Sequence, residues 1–180
     1  MFARTPRLTL RPGWPEDAPA LAAAIGHRAV VDRLAHVPWP YRADDAARFL
    51  ALPCAAAEAR FLIWSHEAVA PRLVGGIELA SRADGHELGY WLTPDAWGRG
   101  LATEAGRAVI DMARRALPVR RIVAYPHADN PASARVLRKL GLHEVGRDRR
   151  PARARGGDVD SLVYALDLEE PRPMAMAMAA

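Results

Sequence analysis

Residues 89–105, GYWLTPDAWGRGLATEA, join a strand-like run to a helix-like run through a loop that holds two glycines and an arginine. The pattern predicts a strand that ends near Leu92 and a helix that begins near Ala102. The first turn of a helix leaves about four backbone amides without partners, and these amides and the helix dipole attract anions. Gly98 and Gly100 would let the backbone approach an anion closely and adopt a positive φ without steric cost. The stretch therefore predicts a site for one or two phosphate groups.

Three kinds of phosphate-binding loop share features with this stretch. A P-loop ends in Gly-Lys-Ser/Thr, and no lysine lies nearby, because Lys139 is the only lysine of the chain. A dinucleotide-binding loop reads G-x-G-x-x-G, but Thr103 stands in place of the third glycine, and the preceding elements are typical of an antiparallel meander. The pyrophosphate loop of an acyl-CoA-binding fold needs glycine or alanine two residues after a glycine, directly at a helix start. Gly100, Leu101 and Ala102 meet that requirement.

The sequence on either side of this loop predicts one α+β domain. Alternating residues predict strands over residues 7–11, 60–64, 72–79, 86–92, 121–125, 142–148 and 160–168. Helical spacing predicts helices over residues 15–25, 43–52, 102–116 and 131–140. Asn130 caps the last of these helices, Pro131 is its first residue, and Gly141 closes it. The order of elements predicts a mixed, mostly antiparallel sheet of about six or seven strands flanked by about four helices.

Length and composition are those of an ordinary globular domain. The chain has 180 residues, of which 51% are hydrophobic and 26% are charged. We expect residues 1–169 to form a single domain and residues 170–180, which have no core-forming pattern, to be a disordered tail. The first residues have no long apolar run, so we expect a cytoplasmic protein without a membrane span. No histidine or cysteine spacing indicates a metal site, and we expect none.

Arginine dominates the charge of the chain. The formal net charge is +4, a balance that favours anionic ligands. Five arginines crowd residues 147–155, a segment that could meet phosphate or an acidic surface, or form a solvated loop. No aromatic residues interleave with these arginines, which disfavours a nucleic-acid partner.

The segment VPWPY, residues 37–41, is a second candidate for function. Its prolines exclude regular secondary structure and display Trp39 and Tyr41 on a stiff, extended stretch. The two aromatic side chains either line a substrate cleft or close the edge of the core, and the sequence leaves both interpretations open.

Two long motifs carry a resemblance to a known family. GYWLTPDAWGRGLATEA is followed at a suitable distance by RIVAYPHADNPASARVLRKLGL, residues 121–142. Together they resemble the GNAT acetyltransferase superfamily and, within it, the branch of ribosomal-protein N-terminal acetyltransferases. The similarity covers residues 6–168. It implies a GNAT fold in which two splayed central strands bind acetyl-CoA as co-substrate, and it favours a homodimer.

The resemblance also implies which residues bind acetyl-CoA. The family pattern at the loop is Arg or Gln, two residues, Gly, one residue, then Gly or Ala, and this chain departs from it at the first place. Leu92 is implied as a backbone partner of the pantetheine arm, and Asn130 as a cofactor contact in addition to its capping role. The implied cofactor-binding residues of the loop and helix start are Trp97, Gly98, Arg99, Gly100, Leu101, Ala102 and Thr103.

The catalytic residues are less well matched to the family. Many GNAT enzymes place a tyrosine that protonates the leaving sulfur where this chain has Leu137. The ribosomal-protein branch offers a serine instead, and Ser133 matches it, either as a hydrogen-bond donor to the thiolate or as an ordinary first-turn residue. A glutamate of that branch falls at Ala152 here. Glu87 is the remaining candidate for a general base, and it could equally be a surface residue of its strand.

The implied reaction is attack of a primary amine on the thioester of acetyl-CoA. With reference pKa values of about 7.7–8.0 for an α-amine and 10.4 for lysine, roughly one α-amine in ten but only about one lysine in 2,500 is neutral at pH 7. A site without an evident strong base therefore suits a protein or peptide N-terminus, or a small amine. The alternative is a non-catalytic acyl-CoA-binding sensor or interaction module, which Leu137 and Ala152 at family catalytic positions favour.

Overall fold

Eight strands and five α-helices form the part of the chain that the computed structural model describes, residues 2–168. The strands are β1 (Ala3–Arg4), β2 (Leu8–Arg11), β3 (Ala59–Ser65), β4 (Arg72–Arg82), β5 (Gly85–Leu92), β6 (Arg121–Ala124), β7 (His143–Ala152) and β8 (Gly157–Asp167). The helices are α1 (Ala18–Ile25), α2 (Arg28–Val31), α3 (Ala43–Leu50), α4 (Leu101–Ala116) and α5 (Pro131–Lys139).

The predicted α+β architecture is confirmed. Every predicted strand and helix is present, with shifts of a few residues at the ends. The sheet has eight strands rather than six or seven, because β1 pairs with β2 through two residues. The additional helix α2 is a single turn. Elements this short show no hydrophobic period that a sequence could reveal. The tail predicted for residues 170–180 lies outside the described residues.

The central strands diverge beside the predicted loop. The sheet order is β1-β2-β3-β4-β5-β6-β8-β7, and all neighbours are antiparallel except β5 and β6. These two parallel strands pair only at His86 with Ile122 and at Glu87 with Val123. From Leu88 to its end, β5 therefore has no ladder partner on the β6 side. The predicted splay of two central strands is confirmed, and it opens a gap in the middle of the sheet.

Helices cover both faces of the sheet. Leu101 of α4 and Leu137 of α5 are buried in one cluster with Ile63 of β3, and Leu21 of α1 is buried in a second cluster with Leu62. Because neighbouring residues of a strand point to opposite faces, the two clusters lie on opposite sides of the sheet. Among residues 2–168, no helix is both long and apolar enough to cross a membrane.

The arginine-rich segment belongs to a β-hairpin, which corrects the interpretation of it as a loop. Residues up to Ala152 extend β7, and β8 returns from Gly157 as its antiparallel partner. Pro151 is tolerated because β7 is the edge strand of the sheet. Most residues of β7 are exposed, so the apolar alternation that reveals a half-buried strand is missing there.

Candidate functional site

The glycine loop has the conformation that its sequence predicts. Gly98 and Gly100 adopt φ values of +73° and +79°, and Gly100 is the N-cap of α4. A Cβ on Gly98 would meet no atom within 4 Å, so backbone conformation, not space, demands glycine there. The amide of Glu104 donates the first helical hydrogen bond, to the Gly100 carbonyl at 3.0 Å. The amides of residues 101–103 therefore stand outside the helical ladder, at the positive end of the helix dipole.

The residues that carry these amides line a large cleft. Its volume is about 1070 Å³, and it runs from the N-terminus of α4 through the gap between β5 and β6 to α3. Most residues of the predicted site line this one cleft, namely Tyr41, Glu87, Leu92, Trp97, Gly98, Gly100, Leu101, Ala102, Thr103, Asn130 and Ser133. Trp39 and Arg99 do not line it.

Arg99 faces away from the cleft. Its guanidinium lies 3.0 Å from a carboxylate oxygen of Glu67, in the connection between β3 and β4. Its carbonyl accepts a hydrogen bond from the Arg7 guanidinium at 2.9 Å. The side chain of Arg99 therefore stabilises the loop, and only its backbone remains near the first turn of α4.

An ion pair between Arg7 and Glu104 anchors the glycine loop. Glu104 accepts hydrogen bonds from Nε of Arg7 at 2.7 Å, from the Arg7 amide at 3.0 Å and from the Thr5 hydroxyl at 2.5 Å. Partial burial raises the pKa of Glu104, but these hydrogen bonds outweigh it and hold the pKa below the ordinary value of 4.5. Because Arg7 also binds the Arg99 carbonyl, the network connects the N-terminal segment, the glycine loop and the first turn of α4.

Glu104→Gln is expected to lower the free energy of unfolding at pH 7 by about 1–2 kcal/mol, because hydrogen bonds to a charged acceptor are lost. The folded-state pKa is depressed, so this contribution is complete above about pH 4.5 and disappears as the pH falls through the pKa of the folded protein. Denaturant unfolding of both proteins at pH 7 and pH 3 measures it. Asp32→Asn, which breaks the exposed pair with Arg28, is the control and should change stability by less than about 0.5 kcal/mol. A Glu104→Gln difference that stays the same at both pH values would contradict the assignment.

Trp97 joins the loop to the end of β5. Its indole Nε1 donates to the Leu92 carbonyl at 2.8 Å, and the Arg33 guanidinium lies over its ring at 5.2 Å. The departure from the family pattern at Trp97 thus adds a contact between the strand end and the loop. One lone pair of the Leu92 carbonyl is used by this bond.

Tyr90 and Ser133 form a hydroxyl pair inside the cleft. Their oxygens are 2.7 Å apart, and the Ser133 amide donates to Oδ1 of Asn130 at 3.2 Å, which confirms the predicted helix cap. Burial raises the pKa of Tyr90 to about 12, although its hydrogen bond with Ser133 opposes this shift. Tyr90 therefore keeps its proton at neutral pH. Sequence reasoning missed it, and the available signal was a tyrosine that alternates with Leu88 and Leu92 on a buried face, where its hydroxyl needs a partner.

The predicted general base is already engaged. Glu87 lies in the cleft, but its carboxylate accepts a hydrogen bond from Arg82 at 2.9 Å and lies 3.7 Å from the Arg150 guanidinium. Leu137 and Ala152, which stand at family catalytic positions, are both buried.

Tyr41 and Trp39 lie in different places relative to the cleft. Tyr41 lines the cleft, and burial, followed by the nearby carboxylate of Asp45, raises its pKa to about 12. Trp39 is 41% exposed and lies against the Arg28 guanidinium at 5.5 Å, outside the cleft. Of these two candidate cleft residues, only Tyr41 lines the cleft.

Comparison with known proteins identifies related sequences. The family model described as the Acetyltransferase (GNAT) domain matches residues 7–143. The uncharacterized N-acetyltransferase YoaA of Bacillus subtilis (strain 168) is 34% identical over 97 residues, which cover 52% of this chain and 55% of YoaA. The chain thus spans about half the length of the curated relatives it matches.

Solved structures share the fold over nearly the whole chain. A GNAT-family acetyltransferase from Bacillus anthracis superimposes with a TM-score of 0.79 at 23% identity, over 94% of this chain and 100% of that one. RimL, a ribosomal alpha-N-protein acetyltransferase in complex with coenzyme A, gives a TM-score of 0.78 at 19% identity, over 95% of this chain and 100% of that one. At these identities the likeness establishes the fold.

Proposed function

Because this chain belongs to the GNAT acetyltransferase family, we propose that it binds acetyl-CoA in the cleft and transfers the acetyl group to a primary amine. One observation carries the proposal: the glycine loop and the first residues of α4, whose amides lie outside the helical ladder, line a cleft that continues through the splay of β5 and β6. A phosphate-bearing molecule bound at the helix end can therefore extend its other end into the middle of the sheet.

The donor set of the cleft fits acetyl-CoA. The amides of residues 101–103 and the glycine loop suit a diphosphate, which needs close backbone approach and a positive potential. The edge of β5 after Glu87 carries backbone groups without a strand partner, which suits the extended, amide-bearing pantetheine arm. Leu92 and Asn130 are the proposed contacts along that arm. No step of the chemistry requires a metal.

Ser133 and Tyr90 are the proposed partners of the leaving sulfur. A thiol has a reference pKa of about 8.5, so its thiolate leaves without a strong acid, and a hydrogen bond is sufficient support. Tyr90 stays protonated and can donate to Ser133, whose own hydroxyl proton is then free for the sulfur. Alignment of the two reactants in the cleft can contribute about 7–11 kcal/mol of the rate enhancement.

The proposed acceptor is an α-amine of a protein or peptide, or a small primary amine. The fraction of α-amine that is neutral at pH 7 supports this choice, because the described part of the cleft has its best base candidate, Glu87, bound to Arg82. The structural likeness to RimL, described as a ribosomal alpha-N-protein acetyltransferase, points to the same class of acceptor.

Calorimetric titration with acetyl-CoA, with NAD as the control ligand, tests the cofactor. We expect micromolar binding of acetyl-CoA and none of NAD. Thiol release is then followed with a panel of peptides bearing a free N-terminus, small amines and N-acetyl-lysine methylamide, which offers only a side-chain amine. Absence of acetyl-CoA binding would refute the proposed function. Turnover with the lysine compound but not with α-amines would overturn the choice of acceptor.

A further inference from the structure

The cleft is open to both faces of the sheet. Antiparallel partners lie on the same face, so Glu78 and Gly89, which are paired across β4 and β5, share a face with Glu87 and Trp91. Tyr90, between them in sequence, points to the opposite face. Residues of both faces line the one cleft. The cofactor proposed above enters from the face of α4 and α5, which leaves the face of α3 for the acceptor.

Carboxylates are the groups that would bind a protonated amine. Among the described residues that line the cleft, five have a carboxylate, and four of these five already accept short hydrogen bonds. Asp45 binds Arg48 at 2.6 Å, Glu58 binds the Ser81 amide at 2.9 Å, Glu87 binds Arg82 at 2.9 Å, and Asp129 binds Arg155 at 2.7 Å. The fifth is Glu78.

Glu78 is held only loosely. Its one ion-pair contact with another described residue is with Nε of Arg60 at 3.4 Å, and 39% of its side chain is exposed. Arg60 has other partners as well, since it donates to the Leu52 carbonyl at 3.2 Å and lies over the Phe49 ring at 5.2 Å. A carboxylate with this much exposure keeps lone pairs for a ligand.

Space for a ligand lies directly beside Glu78. A Cβ on Gly89 would stand 3.5 Å from Cγ and 3.7 Å from Oε1 of Glu78, so the missing side chain leaves room for about one small group there. Gly89 follows Glu87, the last residue of β5 that pairs with β6, by two positions. The room therefore opens where the cleft passes through the sheet.

An aromatic side chain, that of Trp91, lies on the same face of the sheet as Glu78. The Trp91 indole lies over Gly76, because a Cβ on Gly76 would come within 2.7 Å of its Nε1. Gly76 is two residues before Glu78 on the same face of β4. A carboxylate and an aromatic ring on the same face of a sheet can together stabilise an ammonium group, through the charge of the one and the ring face of the other.

We propose that Glu78 binds the amine of the acceptor in the space left by Gly89, with Trp91 as its apolar wall, an inference that rests on the proposed transferase function. The class of ligand is a primary amine on an uncharged, partly apolar carbon skeleton, such as a peptide N-terminus or an arylalkylamine. It binds as the ammonium, loses a proton to solvent and attacks the thioester as the neutral amine. Glu78, not the sequence-predicted Glu87, is then the residue that selects and orients the acceptor. Glu87 then has a structural role, because Arg82 and Arg150 hold its carboxylate in place.

Steady-state kinetics of Glu78→Gln test this assignment, with whichever of two probes the wild type acetylates faster, a tetrapeptide with a free N-terminal alanine or phenethylamine. We expect the acceptor KM to rise at least about tenfold, because a hydrogen bond to a charged partner is lost. The acetyl-CoA Kd from calorimetry should stay within about twofold. Glu58→Gln is the matched control, a cleft carboxylate bound to backbone amides, and should leave both constants within about twofold.

Gly89→Ala tests the space independently. The added methyl group makes only ordinary contact with Glu78, so the protein should fold with an unchanged Tm and a raised acceptor KM. An unchanged acceptor KM in Glu78→Gln, or an equal rise in Glu58→Gln, overturns the assignment to Glu78 while wild-type turnover preserves the proposed function. A wild type that binds no acetyl-CoA overturns both.

Discussion

Gly100→Val is expected to weaken acetyl-CoA binding by about tenfold to a hundredfold. A β-branched residue at φ +79° costs about 1–3 kcal/mol, and the loop relieves this strain by a change in backbone conformation. That change turns the amides at the start of α4 away from the diphosphate. Space is not the cause, since the nearest atom to a Cβ on Gly100 is the Arg7 guanidinium at 3.6 Å. Calorimetric titration of the variant with acetyl-CoA measures the loss.

The turn between β7 and β8 offers a matched control for this variant. Gly156 has φ +80°, and a Cβ there would meet nothing within 4 Å. Gly156→Val introduces the same backbone strain outside the cleft, so it should lower Tm to a similar extent while the acetyl-CoA Kd stays unchanged. Equal loss of affinity in both variants would show that general destabilisation, not the anion site, is responsible.

Ser133→Ala and Tyr90→Phe are each expected to lower kcat by about a hundredfold while the acetyl-CoA Kd changes little. Hydrogen-bond donors aimed at a developing negative charge contribute on the order of 10²–10³ to kcat. The two hydroxyls are 2.7 Å apart and act in sequence, so the double variant should be only slightly slower than either single variant. Thiol release under saturating acetyl-CoA and acceptor gives the three rates.

Tyr125→Phe is the control for this pair. Tyr125 also lines the cleft, and burial, followed by its hydrogen bond to Asp84, raises its pKa to about 12. Its hydroxyl donates to Asp84 at 2.5 Å and is therefore directed to a fixed partner. We expect its removal to leave kcat within about threefold, because this hydroxyl is bound to Asp84 and is not aimed at the developing charge on the sulfur. Full additivity of Ser133→Ala and Tyr90→Phe would contradict a relay through the pair.

Features confined to one short stretch of chain were predicted well. The strand end at Leu92, the helix start, the left-handed glycines and the Asn130 cap each depend on residues within a few positions of one another. Backbone sterics, capping and helical period act over this range, so the sequence displays them directly. The arginine-rich strand is the exception, because β7 lies exposed at the sheet edge and shows no apolar alternation.

Contacts between distant parts of the chain escaped prediction. Arg99 forms an ion pair with Glu67 instead of binding an anion. Glu104 accepts a hydrogen bond from Arg7, which is 97 positions away in the sequence, and Tyr90 forms a hydrogen bond with Ser133 across the cleft. None of these partners can be chosen from composition or spacing, since each side chain has many candidates of suitable charge or polarity.

By itself, the sequence determined the elements, the α+β class and the conformation of the glycine loop at which we propose that an anion binds, because local backbone preferences and hydrophobic periodicity decide all three. The tertiary structure alone decided which polar groups are free to act. Hydrogen bonds and ion pairs form wherever the packed sheet and helices bring partners within about 3 Å. Packing thus bound Glu87 and Arg99 to close partners, left Glu78 beside Gly89 with a longer contact of 3.4 Å to Arg60, and placed Tyr90 against Ser133.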